Sequence, residues 1–295
     1  SNNGIIIEAN NFEFDKIQNI LKADGDVIIK DQINNYNFSA QNILYIKNKE
    51  RIEINGKAEA TIEANYKFTT EDILILRDKM IISSNKGAII FDDINQTRYE
   101  IGKFSYSLKD KILKGEKIFI NTKYNQPFSD KYFFKSAMFN LKNQNYLAQN
   151  IDINFKKDLF GNKDNDPRFK GLSSSSKNGL TTINKGVFTT CKKNDKCPPW
   201  SIQADKIEYD KNKKQITYDN ALVKVYNIPV LYFPKFFHPG PSVKRQSGFL
   251  VPHINNSNVL GSSLQIPYFY APSINKDFTF KPTIFDKDIF MFQNE

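Results

Sequence analysis

The chain has 295 residues, 40% hydrophobic and 25% charged, which excludes a wholly disordered polypeptide and allows one large or two medium domains. No run of about 18 apolar residues occurs, which excludes a transmembrane helix. The net charge of +10 invites a nucleic-acid or anionic-lipid partner, but Lys and Glu alternate along the predicted strands, and the basic runs Lys192–Lys193 and Lys211 with Lys213–Lys214 are short and sit in predicted turns. That pattern reads as solvated faces, and no basic–aromatic platform of the RNA-binding kind is present.

The opening SNNGIIIEAN lacks a basic n-region and a long apolar h-region, so it reads as the start of a mature or trimmed chain. Period-two alternation then begins: Leu21, Ala23, Gly25, Val27 and Ile29 share one face. Residues 51–64, RIEINGKAEATIEA, alternate strictly, and their dry face (Ile52, Ile54, Gly56, Ala58, Ala60, Ile62, Ala64) is mostly small. A strand that only filled a core would carry Val, Leu and Phe there. Either the small residues mark a strand bend or tight sheet packing, or they keep room for something. Alternation returns at Phe104, Tyr106 and Leu108, at Ile151, Ile153 and Phe155, and at Ala221, Val223 and Val225, with turn residues between the runs.

An internal repeat runs through this pattern. Residues 9–29 and 204–225 each follow Ala, two residues, an apolar residue, one residue, an aromatic, Asp-Lys, a turn and a second strand. Weaker echoes start near Ala40, Gly102 and Ala137. A strand–turn–strand unit of this size cannot bury its apolar face alone, whereas stacked copies share an interior. Residues 157–186 are polar and Gly/Ser-rich and read as a long loop. Residues 228–252 hold prolines at 229, 234, 239, 241 and 252, which argues against an interior strand and for a stiff connector. Strand–turn–strand patterning resumes from 246.

Candidate chemistry is sparse. His238 and His253, the two histidines, lie in the Pro-rich segment far from clustered carboxylates, so no metal site is expected and they read as hydrogen-bonded spacers. No GxSxG elbow and no nucleotide-binding signature occurs, and the acidic residues fall on wet faces or in turns, so no catalytic residue and no cofactor are expected. Cys191 and Cys197 form either a tight-loop disulfide in an oxidising compartment or a pair of thiols.

The segment from 188 onward resembles the LPS-assembly protein family, also called organic solvent tolerance proteins. The resemblance rests on Cys197-Pro198-Pro199-Trp200, Ile228-Pro229-Val230 with Tyr232-x-Pro234, and Arg245-Gln246-Ser247-Gly248-Phe249-Leu250. It covers about 190–285, and residues 4–150 share only the repeat pattern. Like the alternation and the repeat, which point to an all-β solenoid, it implies an all-β fold: an open twisted β-jellyroll/solenoid of strand–turn–strand repeats over 1–227, a Pro-rich linker over 228–245, and the first strands of an outer-membrane β-barrel over 246–295. The ending IFMFQNE reads as mid-strand, hence as a fragment.

The resemblance further implies that lipid A acyl chains of lipopolysaccharide run through a jellyroll groove. Groove positions would be Ile52, Ile54, Gly56, Ala58, Ala60, Ile62, Leu21, Val27, Ile29, Phe104, Tyr106, Leu108, Val223 and Val225. Pro252 and Pro267, in the first two barrel-like strands, would flank a lateral gate, because each removes an interstrand hydrogen bond. A local Cys191–Cys197 bridge would pin the turn before Trp200; the family's well-separated cysteines are not matched here. Implied partners are an upstream LptA-like jellyroll joined by β-augmentation near 4–15, an LptE-like plug lipoprotein and the outer membrane, with the jellyroll in the periplasm. The rival expectation is a soluble periplasmic bridge without a barrel, which leaves SGFLVP and IPYFYAP unexplained.

Overall fold

The computed structural model describes residues 5–31, 36–62, 66–126, 129–157, 166–193, 198–239, 245, 247–250, 252–273, 275–286 and 289–295. Apart from one short 3-10 turn at Lys47–Lys49, the regular structure of these residues is antiparallel β. The chain divides into two units, one of residues 1–177 with 188–195 and one of 178–187 with 196–295.

The first unit holds β1 (Ile5–Glu8), β2 (Asn11–Asp15), β3 (Ile20–Asp31), β4 (Tyr36–Ile46), β5 (Arg51–Ile62), β6 (Tyr66–Leu76), β7 (Ile81–Ser84), β8 (Ala88–Asp92), β9 (Thr97–Ser107), β10 (Ile112–Thr122), β11 (Lys131–Asn140), β12 (Asn145–Asn154) and β13 (Arg168–Lys177). Pairing follows chain order, with two departures: β1 and β2 both pair with β3, and β7 and β8 both lie between β6 and β9. β1–β2 and β7–β8 are therefore single strands broken at mid-length, beside neighbours that run on through the break.

The break marks a corner that crosses the sheet. Mid-strand residues take left-handed backbone at Asp26 (φ 47°), Gly56 (φ 82°), Asp72 (φ 51°), Gly87 (φ 89°), Lys117 (φ 51°) and Asn150 (φ 48°). At the corner the buried positions are three residues apart rather than two: Gly115 and Ile118 are buried around exposed Glu116 and Lys117, and Ala148 and Ile151 around exposed Gln149 and Asn150. Two successive side chains point outward, and the alternation restarts in opposite phase. Both halves of each bent strand thus turn their apolar faces to one interior. The rings of Phe68 and Phe104, from opposite sides of the corner, meet edge-on at 5.6 Å.

The hairpin ends repeat a second device. Asp15 Oδ1 accepts the backbone N–H groups of Ile17 and Gln18, Asp92 Oδ1 those of Ile94 and Asn95, Asn140 Oδ1 those of Lys142 and Asn143. In each loop the residue four places after the acceptor, Asn19, Gln96 or Gln144, is left-handed and returns the chain. Asp210 with Asn212, Lys213 and left-handed Lys214 does the same in the second unit. This is the physical content of the aromatic–Asp–Lys repeat.

The second unit contains residues 180–187 of β14 (Leu180–Thr189), then β15 (Trp200–Asp210), β16 (Gln215–Val225) and β17 (Ile228–Pro239). A separate sheet follows, made of β18 (Gly248–Phe249), β19 (His253–Ser257), β20 (Gly261–Gln265), β21 (Tyr268–Ser273), β22 (Lys276–Phe285) and β23 (Phe290–Asn294).

Two expectations are corrected. The segment 157–186, read as a loop, contains β13 and the start of β14, and Asn178 and Gly179, both at positive φ, supply the two-residue turn after β13. Ser and Thr suit a half-exposed strand, and composition alone concealed that. The segment 228–239, read as a connector, is β17, paired with β16 along its length. Its prolines fall where the ladder has no bond to lose: Pro229 at a register shift, Pro234 opposite the left-handed Asn220, and Pro239 at the strand end.

The corner glycines make a ranked prediction. A Cβ at Gly87 would sit 2.2 Å from the Ile101 carbonyl oxygen, whereas one at Gly56 meets nothing within 4 Å, and both residues have positive φ. Gly56→Ala should cost about 1–2 kcal/mol, the left-handed strain alone, and Gly87→Ala clearly more, because backbone must also move. Urea melts of the two variants check the order.

Candidate functional site

Cross-strand registers show what the small residues do. One interior row runs Ile43, Ile54, Ile73, Ser84, Phe104, Gly115, Ala137, Ala148, Ser174 across β4–β7 and β9–β13. The row on the other side of the corner runs Val27, Ala40, Ala58, Thr70, Ala88, Ile101, Ile118, Phe134, Ile151, Gly171. On β4–β6 the first row is bulky and the second small, on β10–β12 the roles are exchanged, and between them β7–β8 are small in both rows and β9 bulky in both. A Cβ on Gly115 would come within 2.9 Å of Ile101 Cγ2, so the halves approach closely because one side gives way. The signal was in the sequence as Ala or Gly three residues from Ile, Phe or Tyr, a spacing that a period-two reading passes over.

Most of the expected groove residues are interior. Val27, Ile29, Ile52, Ile54, Ala58, Ala60 and Phe104 are buried, and Leu21, Tyr106 and Leu108 are half-buried. Val223 and Val225 are half-buried on β16 in the second unit, on the face of buried Ala221. The side chain of Ile62 lies outside the described residues. Gly56 is a correction: it is exposed on the outside of the corner, where its N–H donates to Asp72 Oδ1 at 2.8 Å. Its missing side chain makes no interior room, because the left-handed bend carries position 56 outward.

The interior is mostly apolar, with Thr70, Ser84 and Ser174 also buried in its rows, and it is closed at its centre, with Val27 at 0% and Ile54 at 1% exposure. It is open at the edge strand. Phe12 and Phe14 stand opposite Ala23 and Leu21, hence on the interior face, yet are 52% and 49% exposed. Farther from the corner the row Ile90, Tyr99, Ile120, Tyr132, Ile153 brings phenols inside. Burial pushes Tyr99 and Tyr132 up to about 12, helped by the nearby charges of Asp92 and Asp130 respectively.

Around the expected disulfide, Arg168 donates to the Cys191 carbonyl, and the Lys193 N–H donates to Asp166 Oδ2 at 3.0 Å. That bond, with Lys157 beside it, holds the Asp166 carboxyl below its ordinary range. Cys197 lies outside the described residues, so the bridge does too. Among the described residues no group of three or more His, Cys, Asp or Glu is placed to hold a metal ion. His253 is exposed at the start of β19, and the His238 side chain is outside the described residues.

The sheet of β18–β23 is inverted relative to an ordinary core. Ile254, Leu264, Ile284 and Phe290 form one row across four strands, Phe249, Tyr268 and Phe280 another, and Tyr270 pairs with Phe278 and Pro282 with Phe292. This face carries the exposure: Ile254 is 67% exposed, and Phe290 and Phe292 are more than half exposed. The opposite face buries Ser263 and Thr283 together with Phe285, and Gln265 donates to Thr283 Oγ1 at 3.0 Å. Apolar-out and polar-in is the alternation of strands whose outer solvent is lipid.

Prolines cut this sheet transversely. Pro252 and Pro267 immediately precede β19 and β21 rather than lying within strands, as had been expected. Leu250 N donates to the Pro267 carbonyl at 2.9 Å and Ile266 N to the Pro282 carbonyl at 3.2 Å. The three prolines therefore lie on neighbouring strands at one level, with a donor missing at each. β18 and β21 pair on one side of this line, β19 and β20 on the other, and β22 spans both.

The class of protein is thus an all-β chain of stacked bent hairpins followed by a sheet with an apolar outer face. No protein-family model matches it. Over 109 residues it is 35% identical to the LPS-assembly protein LptD of Polaromonas sp. (strain JS666), a match spanning 36% of this chain and 13% of that protein. It is 36% identical over 105 residues to the LptD of Legionella pneumophila (strain Paris), and 36% over 111 residues to that of Shewanella frigidimarina. These matches span 36% and 38% of this chain but 12% and 14% of the relatives. Over that third of its length the chain is similar to the LPS-assembly protein LptD.

The interior phenols set a pH dependence. Their folded pKa values lie above the unfolded value of 10, so their stabilising effect is complete below pH 10 and is lost as pH rises from 10 towards 12. Denaturant melts should show stability falling across that window, and Tyr99→Phe should flatten part of the fall.

Proposed function

We propose that this chain is the front part of an outer-membrane translocon for lipopolysaccharide. The interior of the bent-strand region carries lipid A acyl chains, and residues 248–294 begin a barrel that releases the lipid sideways. The observation that carries the barrel reading is the apolar-out, polar-in alternation of β19–β23. The LPS reading rests on the similarity to proteins named for LPS assembly.

In this reading the lipid enters at the edge strand, where Phe12 and Phe14 expose the interior face. An upstream LptA-like jellyroll adds to that edge through main-chain hydrogen bonds. Each buried acyl CH₂ contributes about 0.8 kcal/mol, which drives the closed rows of Ile and Ala apart. The lipid then moves to the seam marked by Pro252 and Pro267, where missing donors ease strand separation. The barrel is plugged by an LptE-like lipoprotein, the bent-strand region stands in the periplasm, and a Cys191–Cys197 bridge pins the segment before Trp200. No covalent chemistry is involved. A soluble bridge would share the interior but would hide the aromatic face that β18–β23 leave outside.

Photo-crosslinking tests the interior. A benzophenone amino acid at Phe38, buried opposite Ala60, should capture LPS in cells, and the same residue at exposed Asn37 should not. Equal adducts at both positions would defeat the reading. For the seam, Pro252→Ala with Pro267→Ala in the full-length protein should restore interstrand donors and slow LPS delivery, read as increased sensitivity to large hydrophobic antibiotics. Unchanged sensitivity at normal protein levels would remove the gate from the reading and leave the interior standing.

A further inference from the structure

The outer face of the corner carries a feature that neither the interior nor the barrel uses. On β9–β13, between the pairs Glu116–Ser136 and Ile118–Phe134, the register sets Lys117 directly beside Lys135. Like charges opposite one another on neighbouring strands destabilise a sheet. Lys117 also occupies a left-handed position, which Asn150 fills two strands along with a residue suited to it. Its stem lies over Gly102, whose Cβ would be 3.0 Å from Lys117 Cβ.

The corner of the second unit shows the contrasting arrangement. There Lys185, also left-handed, pairs with Asp205, and Lys235 pairs with Asp219. In the first unit Lys117, Lys135, Lys131 and, around the bend, Lys103 and Lys114 are all exposed and make no ion pair among the described residues. The acids nearby are Glu100, engaged by Arg98, Asp152, engaged by Lys170, and Glu116, which the register sets opposite Lys103, so that Lys117 and Lys135 are the pair with no acid across from them. Among the lysines, Phe133 is 42% exposed between Lys131 and Lys135, and Leu172 is 61% exposed in the corner row. A cationic cluster that opposes its own fold, set around exposed apolar side chains, matches an anionic lipid surface, where phosphates take the lysines and the ring enters the headgroup layer.

We propose that this outer corner docks on an anionic phospholipid surface, with Lys117 and Lys135 as its electrostatic centre and Phe133 as its apolar anchor. The face points away from the interior, so the docking is independent of any lipid carried inside.

Flotation of the purified chain with vesicles of pure phosphatidylcholine, or of phosphatidylcholine with one third phosphatidylglycerol, tests this. The chain should prefer the anionic vesicles, lose that preference by moderate salt, and partition about 25-fold less as Lys117→Gln/Lys135→Gln, about fivefold per lysine. Phe133→Ser should weaken binding with the salt dependence kept. Circular dichroism of these surface variants confirms folding. Equal binding to both vesicle types would assign adhesion to the apolar face of β18–β23 and overturn the proposal, as would an anionic preference that the double variant leaves unchanged.

Discussion

The fold depends on one constraint: a long strand whose side chains alternate can line a single interior from both of its halves only if the alternation breaks once at the bend. Left-handed residues at 26, 56, 72, 117 and 150, and at 87 between β7 and β8, mark that break in the first unit and 185 and 220 in the second, while β4, β9 and β11 change phase without one. At the non-glycine positions this costs local backbone strain, which glycine at 56 and 87 avoids. The strain is offset because the bend turns rows such as Ile101–Ile118–Phe134–Ile151 inward with their counterparts, at about 1.5–3 kcal/mol per buried large side chain. Where the bend is tightest the backbone has no tolerance, as at Gly87 against the Ile101 carbonyl.

The pairing of bulky and small rows connects this geometry to function. Two apolar faces that meet through Ile against Ala or Gly hold no charge and few hydrogen bonds across the contact. On the proposed reading, these faces separate to admit hydrocarbon without leaving a polar group unsatisfied. Strand ladders carry the structure independently of that contact. The exposed interior face at Phe12 and Phe14 extends the same surface to the edge.

The sheet of β18–β23 inverts the logic. Its aromatic side faces outward and its Ser, Thr and Gln side inward, with three prolines aligned across it. In water that arrangement exposes a cost that β3–β13 avoid. It becomes coherent when the outer solvent is lipid.

Much was readable from residue order. Strands, the Asp-Lys hairpin ends and most interior positions follow from period-two alternation, because side-chain direction along a strand is local. The Ser-rich β13 and the proline-bearing β17 were not readable, because each is held by neighbours: β13 by its ladder with β12, β17 by gaps in the ladder of β16 that happen to match its prolines. Nor was the outward position of Gly56, since one left-handed residue reverses phase and alternation cannot announce where. Residue order alone establishes an all-β chain with alternating faces and its resemblance from residue 188 onward. Which rows oppose one another, that Ala58 answers an isoleucine row, and that Lys117 stands beside Lys135 come from the folded chain. Those are facts of register between strands, and register depends on long-range pairing that no local pattern encodes.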